Sequence, residues 1–116
     1  MADNFSKTAD REPSFYQTSA YASSGTIATN GSVLFGISGY NSKASAQFIQ
    51  IFNLNNTAAE GATPMLQFTI PATSNFSLDT GEFGVWFSAG ITWNNSSTCP
   101  TKTIGSADVW LVAQYV

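Results

Sequence analysis

The stretch QFIQIFNLNNTAAEGATPMLQFTIP, residues 47–71, decides the fold class of this chain. It contains two runs, residues 47–53 and 65–70, that are joined by a polar loop with one glycine and one proline. In both runs, apolar β-branched or aromatic residues recur with a period of two, which is typical of β-strands. The sequence therefore predicts two short strands with a turn region between them.

The two faces of the first run differ from those of an ordinary half-buried strand. Phe48 and Phe52 share one face with Gln50, while Ile49 and Ile51 lie on the other. A strand with apolar residues on both faces is typical of a central position or of contact with a partner. The second run has one apolar face and one polar face, so we expect it to be covered on one side only.

Similar runs recur along the rest of the chain, at residues 15–22, 26–29, 32–40, 75–79, 83–93 and 107–115. The run 83–93 contains two glycines, and we interpret it either as one bent strand or as a short loop that leads into a strand at residues 88–93. Asn30-Gly31 is a typical hairpin turn, and residues 94–103 have the composition of a polar loop. No helical period persists over ten residues. We predict an all-β fold, an antiparallel β-sandwich that is jelly-roll-like and has about eight short strands.

Charge is scarce and unevenly placed. Only 9% of the 116 residues are charged, against roughly 25% in ordinary soluble domains. Residues 1–13 carry five of the eleven charges, which predicts an N-terminal arm that is flexible or ordered by a partner, followed by one sandwich domain over residues 14–116. A charge-poor surface favours a chain packed against neighbours, although a secreted β-domain rich in serine and threonine fits the composition as well.

The sequence lacks the residues that several classes of function require. Only four basic residues are present, so nucleic acid is not an expected partner, and no apolar run approaches the ~18 residues needed to cross a membrane. Histidine is absent and Cys99 is the only cysteine, which predicts no catalytic triad, metal site or cofactor. Beyond residues 1–13, Asp79 and Glu82 are the nearest pair of carboxylates in sequence, and we interpret them as turn residues rather than a glycosidase pair or half of a calcium site. The lone cysteine and the polar N-terminus favour synthesis in a reducing cytoplasm.

A family resemblance covers the chain from residue 47 to its end. It depends on QFIQIFN at residues 47–53, the Glu60-Gly61 loop, IPA at residues 70–72 and NSSTCPTKTIG at residues 95–105. These segments resemble small virion structural proteins of tailed bacteriophages, including capsid decoration (cement) proteins. The resemblance implies a non-enzymatic protein with no catalytic residues, located on the exterior of the phage head and made in the host cytoplasm.

From this resemblance and the composition we expect a decoration protein that binds the major capsid protein and stabilises the junctions between capsid subunits. The alternative is a tail or fibre component that binds host-surface glycan through exposed Trp86 and Trp93; a minor hydrolase is a third class with almost no support. We also expect contact with further copies of the chain, because one sandwich has a single interior and cannot bury every apolar residue. The phage resemblance implies a homotrimer, because icosahedral shells offer three-fold positions; a dimer or a monomer is the alternative. The side chains predicted to contact partners are Phe5, Arg11, Phe15, Tyr16, Ile49, Ile51, Trp86 and Trp93.

Overall fold

The computed structural model describes residues 13–116, and within this range the chain forms nine β-strands and no helix. The strands are, in chain order, β1 Ser14–Gln17, β2 Ser24–Ala28, β3 Ser32–Asn41, β4 Gln47–Phe52, β5 Leu66–Ile70, β6 Ser74–Asp79, β7 Val85–Phe87, β8 Ile91–Ser96 and β9 Val109–Tyr115. The predicted arm lies almost entirely outside the described residues.

The strands form two antiparallel sheets that share one core. Sheet A has the order β1-β9-β3-β6, and β7 pairs with the beginning of β3 beside β6. Sheet B has the order β2-β8-β4-β5. Six of the connections cross from one sheet to the other, so that eight strands wind as a jelly roll with β7 added at an edge. The predicted fold class is confirmed.

The stretch that suggested this fold forms a β-hairpin in sheet B. Ile49 pairs with Phe68 and Ile51 pairs with Leu66, and all four side chains point inward. Both isoleucines are fully buried against β8, the other neighbour of β4. The period-two pattern therefore predicted both the strands and their inward faces.

The core lies between the sheets and is built from inward-facing residues of nearly every strand. Trp93 on β8 is its largest fully buried side chain, and its indole Nε1–H donates a 3.2 Å hydrogen bond to the Tyr16 hydroxyl of sheet A. On β3, Gly39 leaves room for the neighbouring backbone, because a Cβ at this position would overlap the Trp110 carbonyl oxygen. The two sheets are thus joined by apolar packing and by one hydrogen bond across the core.

The outward face of sheet B is covered by the chain's own loops, 53–65 and 97–105. Beneath them, Gln50, Phe52 and Asn94 are buried, and the Asn94 amide donates to Gln50 Oε1 at 3.1 Å. Two backbone hydrogen bonds join the loops. The Gly61 amide donates to the Lys102 carbonyl oxygen at 2.8 Å, and the Lys102 amide donates to the Ala62 carbonyl oxygen at 2.9 Å. A strand with apolar residues on both faces is therefore explained by intramolecular loops, with no partner required.

Three local predictions differ from the structure. Asn30-Gly31 does not close a hairpin, because β2 belongs to sheet B and β3 to sheet A. Of the two interpretations of the run 83–93, the single bent strand is wrong: the run contains β7 and the beginning of β8, separated at Gly90, whose φ of 145° and close approach to the Ala28 carbonyl require glycine. Strand β8 also continues through three residues that were predicted as loop, since their polar side chains are buried under the covering loops.

Candidate binding surface

The outer face of sheet A is the part of the described structure best suited to binding. The pairing register of the strands shows which residues lie on this face, because residues paired across a sheet point to the same side. One row of this face contains Phe15, Gln114 and Asp79, with Gly36 between the last two. The next row contains Gln17, Val112, Ser38 and Ser77, and the row after it contains Trp110, Tyr40 and Asn75. Most side chains of this face are therefore aromatic or polar without charge.

A groove with a volume of about 570 Å³ crosses this face. Gly36, which has no side chain, and Ser38, whose side chain is small, line the groove, so this part of the sheet lies lower than its surroundings. Phe15 stands at one wall with 70% of its surface exposed. The remaining lining residues are Phe35, Ile37, Leu78, Asp79, Gly81, Glu82, Val112 and Gln114.

A second depression of about 440 Å³ adjoins the first beyond Val112. It lies between β9 and the segment that follows β1, and its largest walls are Trp110 and Tyr21. These side chains are 39% and 48% exposed, respectively. The two depressions meet at Val112 and form a continuous concave strip on the solvent side of sheet A, which is mainly apolar in the second depression and mixed in the first.

Among residues 13–116, the charged side chains that line the first groove are Asp79 and Glu82. Asp79 Oδ1 accepts a 2.8 Å hydrogen bond from the Gly81 amide, which confirms its interpretation as a turn residue. Glu82 is exposed in the same turn. Within residues 13–116, no three cysteine, aspartate or glutamate side chains come together as a metal site would require.

The residues predicted to contact partners differ in where the structure places them. Phe15 and Trp86 are exposed on the outer side of sheet A, as an interface requires. Ile49, Ile51 and Trp93 are at most 1% exposed, so their assignment to an interface was wrong: they face the shared core, and their strands are covered on the other side by loops.

Of the remaining predicted contacts, Tyr16 is half-buried and accepts the hydrogen bond from the indole in the core, so its main contact is internal. Phe5 and Arg11 lie outside the described residues. Trp110 and Val112 were missed as surface residues. Their position opposite Val109 and Leu111 in the last strand was visible in the sequence, but alternation alone does not tell which face remains open.

No protein-family model, curated protein or solved structure matches the chain. The resemblance to phage virion proteins therefore stays a prediction. In the described part of the chain there is also no helix long and apolar enough to span a bilayer.

Proposed function

We propose that this protein is a non-enzymatic capsid decoration protein that binds the outer head surface of a bacteriophage through sheet A. One observation carries the proposal: sheet B is closed by the chain's own loops, whereas the outer face of sheet A is open and rich in exposed aromatic side chains. Large exposed apolar patches on small proteins mark interaction surfaces. The family resemblance supplies the phage head as the partner.

The chemistry of the open face suits attachment to a protein lattice. Phe15, Trp86 and Trp110 present large apolar areas, and aromatic anchors of this kind dominate the free energy of many protein interfaces. A protein that binds only the assembled shell stabilises it by its binding free energy, and many copies act together. No reaction is needed for this role.

The homotrimer stays a prediction, but the reason for it changes. The apolar strand β4 no longer requires a second chain, because loops of the same chain cover it. Exposed apolar residues that do not contact the capsid now provide the surface that a symmetric contact would bury. Light scattering at micromolar concentration measures the oligomeric state directly.

The glycan-binding alternative loses one of its two residues. It required Trp86 and Trp93 to form an exposed rim, and Trp93 is buried in the core. The exposed tryptophans on strands beside β3 are Trp86 and Trp110, and they suit a protein contact as well as a sugar, so we retain decoration as the proposal.

Attachment can be tested by co-sedimentation with capsids of the encoding phage that lack the protein. The double variant Phe15→Ala and Trp110→Ala removes two exposed aromatics from sheet A, and we expect at least tenfold weaker binding, as for loss of interface anchors. The matched control is Met65→Ala with Ile104→Ala, which removes two apolar side chains of similar exposure on the side of sheet B.

We expect the control variant to bind like the wild type, and quantitative mass spectrometry of virions to give copy numbers in the range of a shell component. Protein restricted to tail tips, or equal loss of binding in both variants, would contradict the proposal. Circular dichroism and urea unfolding of each variant verify that the fold is intact.

A further inference from the structure

Among the described residues, two neighbouring carboxylates form no ion pair with a basic side chain. Residues 13–116 contain two basic side chains, and both have partners: Lys43 Nζ lies 3.6 Å from Asp108, and Lys102 Nζ lies 3.6 Å from Glu60. The two other carboxylates in this range are Asp79 and Glu82, which make no ion pair within it. Both line the groove of sheet A.

The groove combines these carboxylates with aromatic walls. Phe15 and Phe35 present rings at the groove, and Gln114 adds an amide next to the floor at Gly36. A guanidinium group is planar, stacks on aromatic rings and donates forked hydrogen bonds to carboxylates. An ammonium group lacks the planar fork, and a neutral side chain lacks the charge. The groove therefore matches arginine better than any other side chain.

We infer that the groove of sheet A accepts an arginine side chain of the capsid protein to which this chain attaches. This inference rests on the proposed decoration function for the identity of the partner. The guanidinium lies between the phenyl rings and the acidic rim, while the surrounding aromatic strip contacts apolar surface on the same partner. The carboxylates then select the register in which the open face docks.

The chemistry of the groove can be tested without capsids. Acetyl-arginine-N-methylamide is titrated into isotopically labelled protein, and the amide signals of Phe15, Gly36 and Gln114 are followed by NMR. We expect saturable shifts with the arginine derivative and at least tenfold weaker binding of the citrulline derivative, which has the same shape without the charge. Since the rim is exposed, added salt weakens binding.

The double variant Asp79→Asn and Glu82→Gln keeps the size of both side chains and leaves an oxygen to accept the Gly81 amide. We expect it to bind the arginine derivative about 10- to 100-fold more weakly, the range for losing charge-assisted hydrogen bonds. Glu60→Gln is the matched control, because it removes an exposed carboxylate on the other side of the sandwich. Equal binding by the double variant and the wild type overturns the inference.

Capsid co-sedimentation separates this inference from the proposed function. Loss of capsid binding in the carboxylate double variant, with full binding by Glu60→Gln, supports both. Full capsid binding by the double variant overturns the arginine contact and leaves decoration intact. If wild-type protein does not bind capsids, the decoration function and the capsid partner fail, and the titration alone decides the chemistry of the groove.

This chain's own Arg11 is a competing occupant. Deletion of residues 1–13 tests it, because a segment that fills the groove competes with an added ligand. We expect the truncated protein to bind the arginine derivative with unchanged affinity. Binding that is tenfold tighter after the deletion identifies Arg11 as the occupant and overturns the assignment to a partner.

Discussion

Replacement of Lys102 by methionine is expected to lower the free energy of unfolding by about 2 kcal/mol, because a charged hydrogen bond contributes about 1.5–3 kcal/mol and its loss leaves a buried acceptor without a donor. The Lys102 side chain is almost fully buried beneath loop 53–65, and its Nζ donates a 2.6 Å hydrogen bond to the Ala58 carbonyl. Methionine preserves the apolar stem, so the change tests the ammonium group rather than the packing.

Two further contributions have opposite signs and partly cancel. Glu60 is 57% exposed and lies 3.6 Å from Lys102 Nζ, and such pairs contribute less than about 1 kcal/mol. Release of the buried ammonium into water in the unfolded state offsets part of the hydrogen bond. We therefore expect a net loss of about 2 kcal/mol, which lies in the lower half of the range of about 1.5–3 kcal/mol for a hydrogen bond from a charged group.

Urea unfolding followed by tryptophan fluorescence measures this change. With a urea dependence of about 1–3 kcal/mol per molar for small proteins, the midpoint should fall by roughly 1 M. Hydrogen exchange at the Gly61 and Lys102 amides should accelerate as well, because these amides join the two covering loops. Lys43→Met is the control, since its pair with Asp108 is partly exposed and contributes little. A Lys102→Met protein with the midpoint and exchange rates of the wild type would refute the proposed role of this side chain.

Three further substitutions test the described core. Tyr16→Phe leaves the buried Trp93 indole without its acceptor and should cost about 1–3 kcal/mol, measured by urea unfolding. Gly39→Ala should reduce the yield of folded protein severely, because the new methyl group overlaps the backbone carbonyl of Trp110, and circular dichroism with thermal melting reports this. Gln50→Met should cost about 2–3 kcal/mol in urea unfolding, because it removes three hydrogen bonds from a fully buried position.

Each of these substitutions has a matched control. Tyr21→Phe alters an exposed tyrosine, and Gln17→Met alters an exposed glutamine, so both should leave the midpoint within about 0.5 kcal/mol of wild type. Gly61→Ala meets no atom within 4 Å, but its φ of 84° should cost about 1 kcal/mol. A Gly39→Ala protein as stable as Gly61→Ala would show that the strands of sheet A are further apart than described.

The strands were predictable because their inward faces alternate with period two. Ile49 and Ile51 were assigned to one face from the sequence, and the structure places both in the core. Sheet membership was not predictable: Asn30-Gly31 has the chemistry of a hairpin, yet it connects two sheets. Local turn preference does not encode the pairing of β3 with β9, which lies about seventy residues further along the chain.

The candidate surface was predictable only in part. Phe15 and Trp86 were selected as contact residues and are exposed, whereas Trp93 has the same aromatic character and is buried. The difference depends on which sheet is covered by loops. Loops 53–65 and 97–105 cover sheet B. The Lys102 ammonium joins the two loops by donating to the Ala58 carbonyl, and the Gln50 amide of sheet B donates to the Thr98 carbonyl. Polar loop sequences give little sign of such long-range contacts.

The separation of an open face from a loop-covered face gives the molecule a defined direction. When sheet A rests on a surface, loop 53–65 lies on the opposite side of the sandwich and points into the surrounding solution. Residues 54–57 of this loop are exposed, which is the usual condition for tolerated insertions. A foreign peptide inserted between Asn55 and Asn56 would therefore be displayed outward from every attached copy, without contact with the surface beneath.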